Sequence, residues 1–78
     1  MTDASFVLKS GEATNRTLSM PGGDGFEIDS VMAISTGNDH VHLLGFSIDG
    51  CDLAIRIVNM HSEGVWAQPR VTVSLRKA

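Results

Sequence analysis

Three histidines have the spacing that comes closest to a chemical site. His40 and His42 are two residues apart, so both side chains lie on one face if this stretch is a β-strand. His61 lies on the predicted partner strand, two residues beyond Asn59, which would oppose His40. Three imidazoles are the protein ligands of one class of catalytic zinc site. One hypothesis is therefore a small metal-binding β-domain that uses His40, His42 and His61. The alternative is that these histidines lie at strand ends, where they face solvent or form ordinary hydrogen bonds.

Other reactive side chains do not form a catalytic arrangement. Cys51 and His61 would lie at opposite ends of one extended strand, roughly 30 Å apart, too far for a nucleophile and its base. Asp49 and Asp52 flank a predicted turn, where solvent prevents the desolvation that tunes a general acid. The chain has no G-x-S-x-G elbow. We expect no enzymatic activity, no metal and no cofactor.

The elements that would position these residues centre on a hairpin over residues 40–60. Asp49-Gly50 lies between two apolar runs, a strong signal for a two-residue type I′ turn. The predicted register sets these pairs side by side on one apolar face: Ile48 with Cys51, Phe46 with Leu53, Leu44 with Ile55, and His42 with Ile57. That register places Cys51 in the core. It leaves Val41, Leu43 and Val58 on the outer face as a docking or dimerisation patch, unless the N-terminal segment covers them.

Shorter strands flank this hairpin. Residues 5–9 and 16–20 predict an edge hairpin, and residues 21–25 predict a loop. Phe26–Ser35 fits a strand or a helix; we favour a strand that forms a hairpin with residues 41–48 through Gly37-Asn38-Asp39. A final strand over residues 65–75 continues the pairing with the central hairpin, with a bulge or break at Gln68-Pro69, where the missing proline N–H does no harm.

These elements predict a small all-β protein. Eight glycines in 78 residues fit frequent tight turns. We expect one domain over residues 1–78, built as a single antiparallel sheet of five or six strands in meander order that closes toward a small barrel or sandwich. Aromatic residues make up only 5% of the chain, so the small core favours partial burial in a homodimer or larger complex.

Cysteine content and hydropathy indicate a compartment. A lone Cys51 cannot form an intramolecular disulfide, and no apolar run approaches the roughly 18 residues of a membrane helix. The first residues lack the basic start and apolar core of a signal peptide. We expect a cytoplasmic protein that does not bind membranes.

The net charge of −3 conceals an asymmetry along the chain. Residues 24–63 carry seven acidic residues against one arginine, a net charge of −6, whereas the remainder carries five basic residues against two acidic ones, a net charge of +3. The acidic stretch disfavours direct binding to nucleic-acid phosphates and favours docking onto a basic protein surface. The alternative is that these charges only solvate the turns.

The leading functional hypothesis is a non-enzymatic protein-binding module that occludes a surface of its partner. The residues predicted to contact that partner are Asp39, Asp49, Asp52, Glu63 and Trp66. Trp66 would be an interface anchor if exposed and a core residue if buried. In size and charge, though in no motif, the chain resembles phage-encoded inhibitors of host machinery such as anti-CRISPR proteins. A structural assembly subunit, joined through exposed edge strands, is a third hypothesis.

Overall fold

The computed structural model describes residues 1–19 and 25–78, and these form seven antiparallel β-strands without a helix. The strands are β1 (Phe6–Leu8), β2 (Ala13–Ser19), β3 (Phe26–Ser35), β4 (Val41–Asp49), β5 (Asp52–Asn59), β6 (Val65–Ala67) and β7 (Arg70–Lys77). The predicted all-β class is confirmed, and Phe26–Ser35 is a strand. Met20 and most of the predicted loop at residues 21–25 lie outside the described residues.

The described strands form three small sheets rather than a single meander sheet or a closed barrel. Their orders are β2-β5-β4, β1-β6 and β3-β7. The predicted hairpins β1–β2 and β3–β4 are wrong, because β1 pairs with β6 and β3 pairs with β7. The predicted pairing of the last strand with the central hairpin is also wrong. Pairing β3 with β7 sets apolar residues beside each other at three positions: Ile28 with Leu75, Val31 with Val73, and Ile34 with Val71.

The turn of the β4–β5 hairpin consists of Gly50 and Cys51 rather than Asp49 and Gly50. Asp49 pairs with Asp52 across it, and Gly50 has a φ of 62° whereas no non-glycine residue of the described chain has a positive φ. A positive φ at the first central residue alone is the type II′ pattern; type I′ would require one at the second central residue too, which a β-carbon opposes. The register therefore differs from the prediction by two residues. Cys51 lies half-buried in the turn instead of on the core face.

A β-bulge at Leu44 reverses the faces of the first part of β4. The register shifts by one residue after Leu43, which pairs with Ile57. Directly paired residues point to the same side of a sheet, so Val41 and Leu43 lie on the core side with Ile57. Val41 is buried there. The predicted outer patch is therefore wrong, because Val58 stays on the opposite face of the sheet.

One hydrophobic cluster joins the three sheets. Its buried members come from all seven described strands: Leu8, Leu18, Ile28, Val41, Leu53, Ile55, Ile57, Ala67 and Val71. The central strand β5 alternates buried and more exposed residues along its length, as a strand with one core face should. The core therefore lies against one face of the β2-β5-β4 sheet and is completed by the two smaller sheets.

The predicted break at Gln68-Pro69 is confirmed, and it anchors two other segments. Pro69 is buried, and its carbonyl accepts the Asp3 N–H at 2.9 Å. The Gln68 N–H donates to the Thr36 carbonyl at 3.0 Å. Gly37 has a φ of 78°, and a β-carbon there would lie 2.7 Å from the Gln68 carbonyl oxygen. Glycine is thus required where the loop before β4 meets this break.

Within residues 1–19 and 25–78, no helix has the length and apolar character needed to cross a membrane.

Candidate protein-binding surface

Asn59 assembles the end of the molecule at which β5 finishes. Its side chain is completely buried, and its amide donates to the Leu8 carbonyl at 3.0 Å and to the Glu63 carbonyl at 2.8 Å. Its side-chain oxygen accepts the His61 N–H at 2.8 Å. Its backbone carbonyl accepts the Gly11 N–H. The fully hydrogen-bonded side chain of Asn59 therefore connects β1, β5 and the loop over residues 60–64.

Two of the three histidines meet at this end. The rings of His40 and His61 are 4.2 Å apart between centroids and tilted by 58°. The His61 Nδ1 accepts the Glu63 N–H at 3.1 Å, so the proton of the neutral ring is on Nε2. His42 instead pairs with Val58 within β4 and β5. The described residues contain no group of three or more histidines, cysteines or acidic residues arranged to hold a metal ion.

Trp66 is exposed at the same end, on the outer face of the β1–β6 pair. It lies directly opposite Val7, and 65% of its surface remains accessible. The neighbouring cross-strand pairs of this small sheet face the core through Leu8 and Ala67. The Asn38 side-chain amide donates to the Trp66 carbonyl at 3.1 Å. The indole therefore projects from a backbone held on both sides.

Two predicted acidic residues flank this surface. Asp39 lies in the loop that carries Asn38 and His40, and Glu63 lies in the loop after β5. The contact between the tilted rings of His40 and His61 joins these two loops. An open, mostly polar depression of about 540 Å³, lined by residues 35–40, lies beside them. We call the surface formed by Val7, Asp39, Glu63 and Trp66 the Trp66 surface.

The other two predicted acidic residues lie far from the Trp66 surface. Asp49 and Asp52 face each other at the tip of the β4–β5 hairpin. The seven residue steps from Asp52 to Asn59 along β5 span about 24 Å, and the whole molecule extends over 43 Å in its longest dimension. The five residues predicted to contact a partner therefore form two separate groups rather than one site.

The four predicted acidic residues, like Glu12, have no ion-pair partner among the described residues, whereas other carboxylates do. Arg76 binds Glu27 at 2.7 Å and Asp29 at 3.4 Å, and Arg16 binds Asp3 at 2.7 Å. The Arg16 hydrogen bond holds the pKa of Asp3 below its usual range. In the described part of the chain, neither Asp39, Asp49, Asp52 nor Glu63 has an ion-pair partner. Their charge is available to a basic partner.

Sequence reasoning missed Val7 and Asn38. The pairing of β1 with β6 brings Val7 beside Trp66, and this contact spans 59 residues of sequence, so no local pattern could indicate it. The sequence predicts a turn at Asn38, and the Asn38 side-chain oxygen does accept the His40 N–H at 2.9 Å within that loop. Its second role, which is to hold the Trp66 backbone, depends on the same long-range packing.

No family model, curated protein or solved structure matches this chain. We therefore infer a function from the geometry of the Trp66 surface.

Proposed function

We propose that this protein is a non-enzymatic protein-binding module that occludes a basic surface of its partner with the Trp66 surface. The observation that carries the proposal is the exposure of Trp66 on a well-held strand. Tryptophan is among the residues most enriched in the centres of protein interfaces, because it buries a large area at a small cost in conformational entropy.

Electrostatics supports a basic partner. Asp39 and Glu63 lie in the two loops that adjoin the Trp66 backbone, and neither has an ion-pair partner among the described residues. Carboxylates at the rim of an interface accelerate the encounter with a positive surface and disfavour acidic partners. The Trp66 surface thus combines an exposed indole with nearby carboxylates. This combination fits a protein that covers a basic patch on its partner.

The test is capture of proteins from a lysate by the immobilised chain, followed by variants of the Trp66 surface. Trp66→Ala should weaken binding of the captured partner about 30-fold or more, as loss of a hot-spot residue does. Met32→Ala, which truncates a side chain that is 70% exposed on β3, is the matched control and should bind normally. Equal binding by the Trp66→Ala variant would contradict the proposal.

Charge reversals separate the two acidic groups. Asp39→Lys and Glu63→Lys should slow association and reduce its dependence on salt, because rim charges act mainly on the association rate. Asp49→Lys at the hairpin tip should leave association with the same partner nearly unchanged. The opposite ranking would move the binding surface to the tip. Since Trp66 is the sole tryptophan and the chain has no tyrosine, its fluorescence quenching by acrylamide also reports whether the indole is exposed in the free protein.

A further inference from the structure

The β4 edge of the three-stranded sheet combines an unpaired backbone with exposed apolar side chains. Within the described residues, β4 has a single ladder neighbour, β5, so one of its sides carries N–H and C=O groups that no described strand pairs. The large apolar residues along it are all substantially exposed: Leu43, Leu44, Phe46 and Ile48. Long apolar edge strands left open in this way are sites at which another strand adds to the sheet.

The opposite edge of the same sheet, β2, has a different character. Its sequence is ATNRTLS, and its one large apolar residue, Leu18, is buried. The Arg16 side chain is tied to Asp3 and lies over the Phe6 ring, 4.3 Å from its centroid. Polar side chains and a charge on an edge strand oppose pairing with another chain. Of the two edges of this sheet, β4 is therefore the one suited to strand addition.

We propose that β4 pairs antiparallel with β4 of a second copy of this chain across a two-fold axis. The two three-stranded sheets would then form one six-stranded sheet. The pairing closes at two copies, because each chain uses its β4 edge in the same contact. This surface is distinct from the Trp66 surface, so the proposal does not depend on the proposed function.

The bulge at Leu44 limits the registers that this pairing can adopt. Beyond the bulge, Phe46 and Ile48 lie on the core side; before it, Leu43 does. Placing Phe46 on the two-fold axis, opposite Phe46 of the second copy, also sets Gly45 opposite Ser47. With Leu44 as the extra residue, Leu43 of one copy then lies opposite Ile48 of the other. Paired residues therefore point to the same side of the sheet on both sides of the bulge.

A register centred on Gly45 also keeps matching faces, because with Leu44 as the extra residue it sets Leu43 opposite Phe46. It would, however, place Asp49 opposite His40, which lies outside β4 and whose ring already contacts His61. The register centred on Phe46 instead keeps Asp49 within the paired strands, with apolar residues across the axis on the core side and small residues on the outer side.

Charge complementarity supports the same register. The pair that follows Leu43 and Ile48 is His42 opposite Asp49, and the two-fold axis forms this contact twice. Asp49 already faces Asp52 within its own hairpin, an arrangement of like charges that is unfavourable by itself. An imidazole of the second copy on the other side of Asp49 would offset that repulsion. A second copy of this chain is thus the occupant that both the apolar and the charged residues of β4 fit.

The test is the molar mass in solution, by light scattering and sedimentation over a range of concentrations. The expected mass at high concentration is twice the 8.3 kDa of the chain. Phe46→Lys should give a monomer, and Met32→Lys, at a more exposed apolar position on β3, should remain a dimer. A monomer at every concentration would overturn the proposal, and so would a dimer that persists in Phe46→Lys.

A charge swap tests the register without removing an apolar residue. His42→Asp should weaken the dimer about tenfold, because two attractive contacts become repulsive. Adding Asp49→Lys to His42→Asp should restore it. If the double variant associates no better than His42→Asp alone, the pairing of these two positions is wrong.

Cross-linking gives an independent measure of the register. In a Cys51→Ser background, the double variant Gly45→Cys with Ser47→Cys should form a dimer linked by disulfides on mild oxidation, since opposed residues lie within disulfide reach. A β-carbon at Gly45 meets no atom within 4 Å, so the position accepts the change. Each single variant should remain uncross-linked. Equal cross-linking of a single variant would overturn the register.

Discussion

β4 and β5 are the two arms of one hairpin, with similar lengths and similar apolar content, yet their side chains have opposite environments. Ile55 of β5 is 2% exposed, and Phe46, its direct neighbour in the ladder, is 51% exposed on the same face. The difference comes from position in the sheet. β5 lies between β2 and β4, and the cluster from the smaller sheets packs over it, whereas β4 lies at the edge of that cluster.

This contrast shows that alternation identifies a face but does not establish its burial. The same face of one hairpin contributes to the core through β5 and remains open to solvent through β4. An apolar strand that stays exposed after the chain has folded is a candidate interface. For this reason the proposal of self-association concerns β4 and not its partner strand.

The sharpest way to test the contrast is to truncate both members of one ladder pair. Ile55→Ala should lower the free energy of unfolding by about 2–5 kcal/mol, because it leaves a cavity in a packed core. Phe46→Ala should lower it by about 1 kcal/mol in the monomer, since much of its surface is already in water. Urea denaturation at concentrations where the protein is monomeric measures both. Similar losses for the two variants would show that β4 is covered to the same degree as β5.

Much of this fold followed from local sequence patterns, and the strand partners did not. The strand over residues 26–35 and the break at Gln68-Pro69 were predicted correctly, because alternation and the missing proline N–H act locally. The β3–β7 and β1–β6 pairings join residues 35 or more positions apart, for which nearest-neighbour hairpins were the wrong assumption. The predicted convergence of three histidines is seen only in part: His40 meets His61, whereas the bulge turns His42 to the other face, beside Val58.

Two local details shifted the predicted register of the central hairpin. Asp49-Gly50 predicted a type I′ turn, but Gly50 serves as the first turn residue of a type II′ turn, and one glycine cannot distinguish the two patterns by sequence. The bulge at Leu44 has no sequence signature beyond the glycine that follows it. The bulge moved Val41 into the core and made the predicted outer patch wrong. The exposure of Trp66 likewise depended on the long-range β1–β6 pairing.

A second test compares a glycine in the loop before β4 with a glycine within β4. Gly37→Ala should destabilise the protein by about 1–3 kcal/mol, because its φ is positive and the new β-carbon would contact the Gln68 backbone. Gly45→Ala should be neutral or stabilise the monomer by about 0.5 kcal/mol, because no atom lies near and alanine reduces the entropy of the unfolded chain. Thermal unfolding distinguishes the two. A large loss in Gly45→Ala would mean that β4 is more tightly enclosed than its exposure indicates.

The smallest expected effect concerns the tip, where the two arms of the hairpin meet. Asp49 and Asp52 are directly opposite, and like charges in that position repel. Asp52→Asn should therefore raise the unfolding free energy of the monomer by about 0.5 kcal/mol at low salt, with the gain shrinking as salt screens the pair. Asp39→Asn, in a loop with no charge opposite it, is the control and should change nothing. If Asp52→Asn stabilises equally at high salt, repulsion between Asp49 and Asp52 is not the cause. The proposed contact of Asp49 with His42 of the second copy would then have no repulsion to offset.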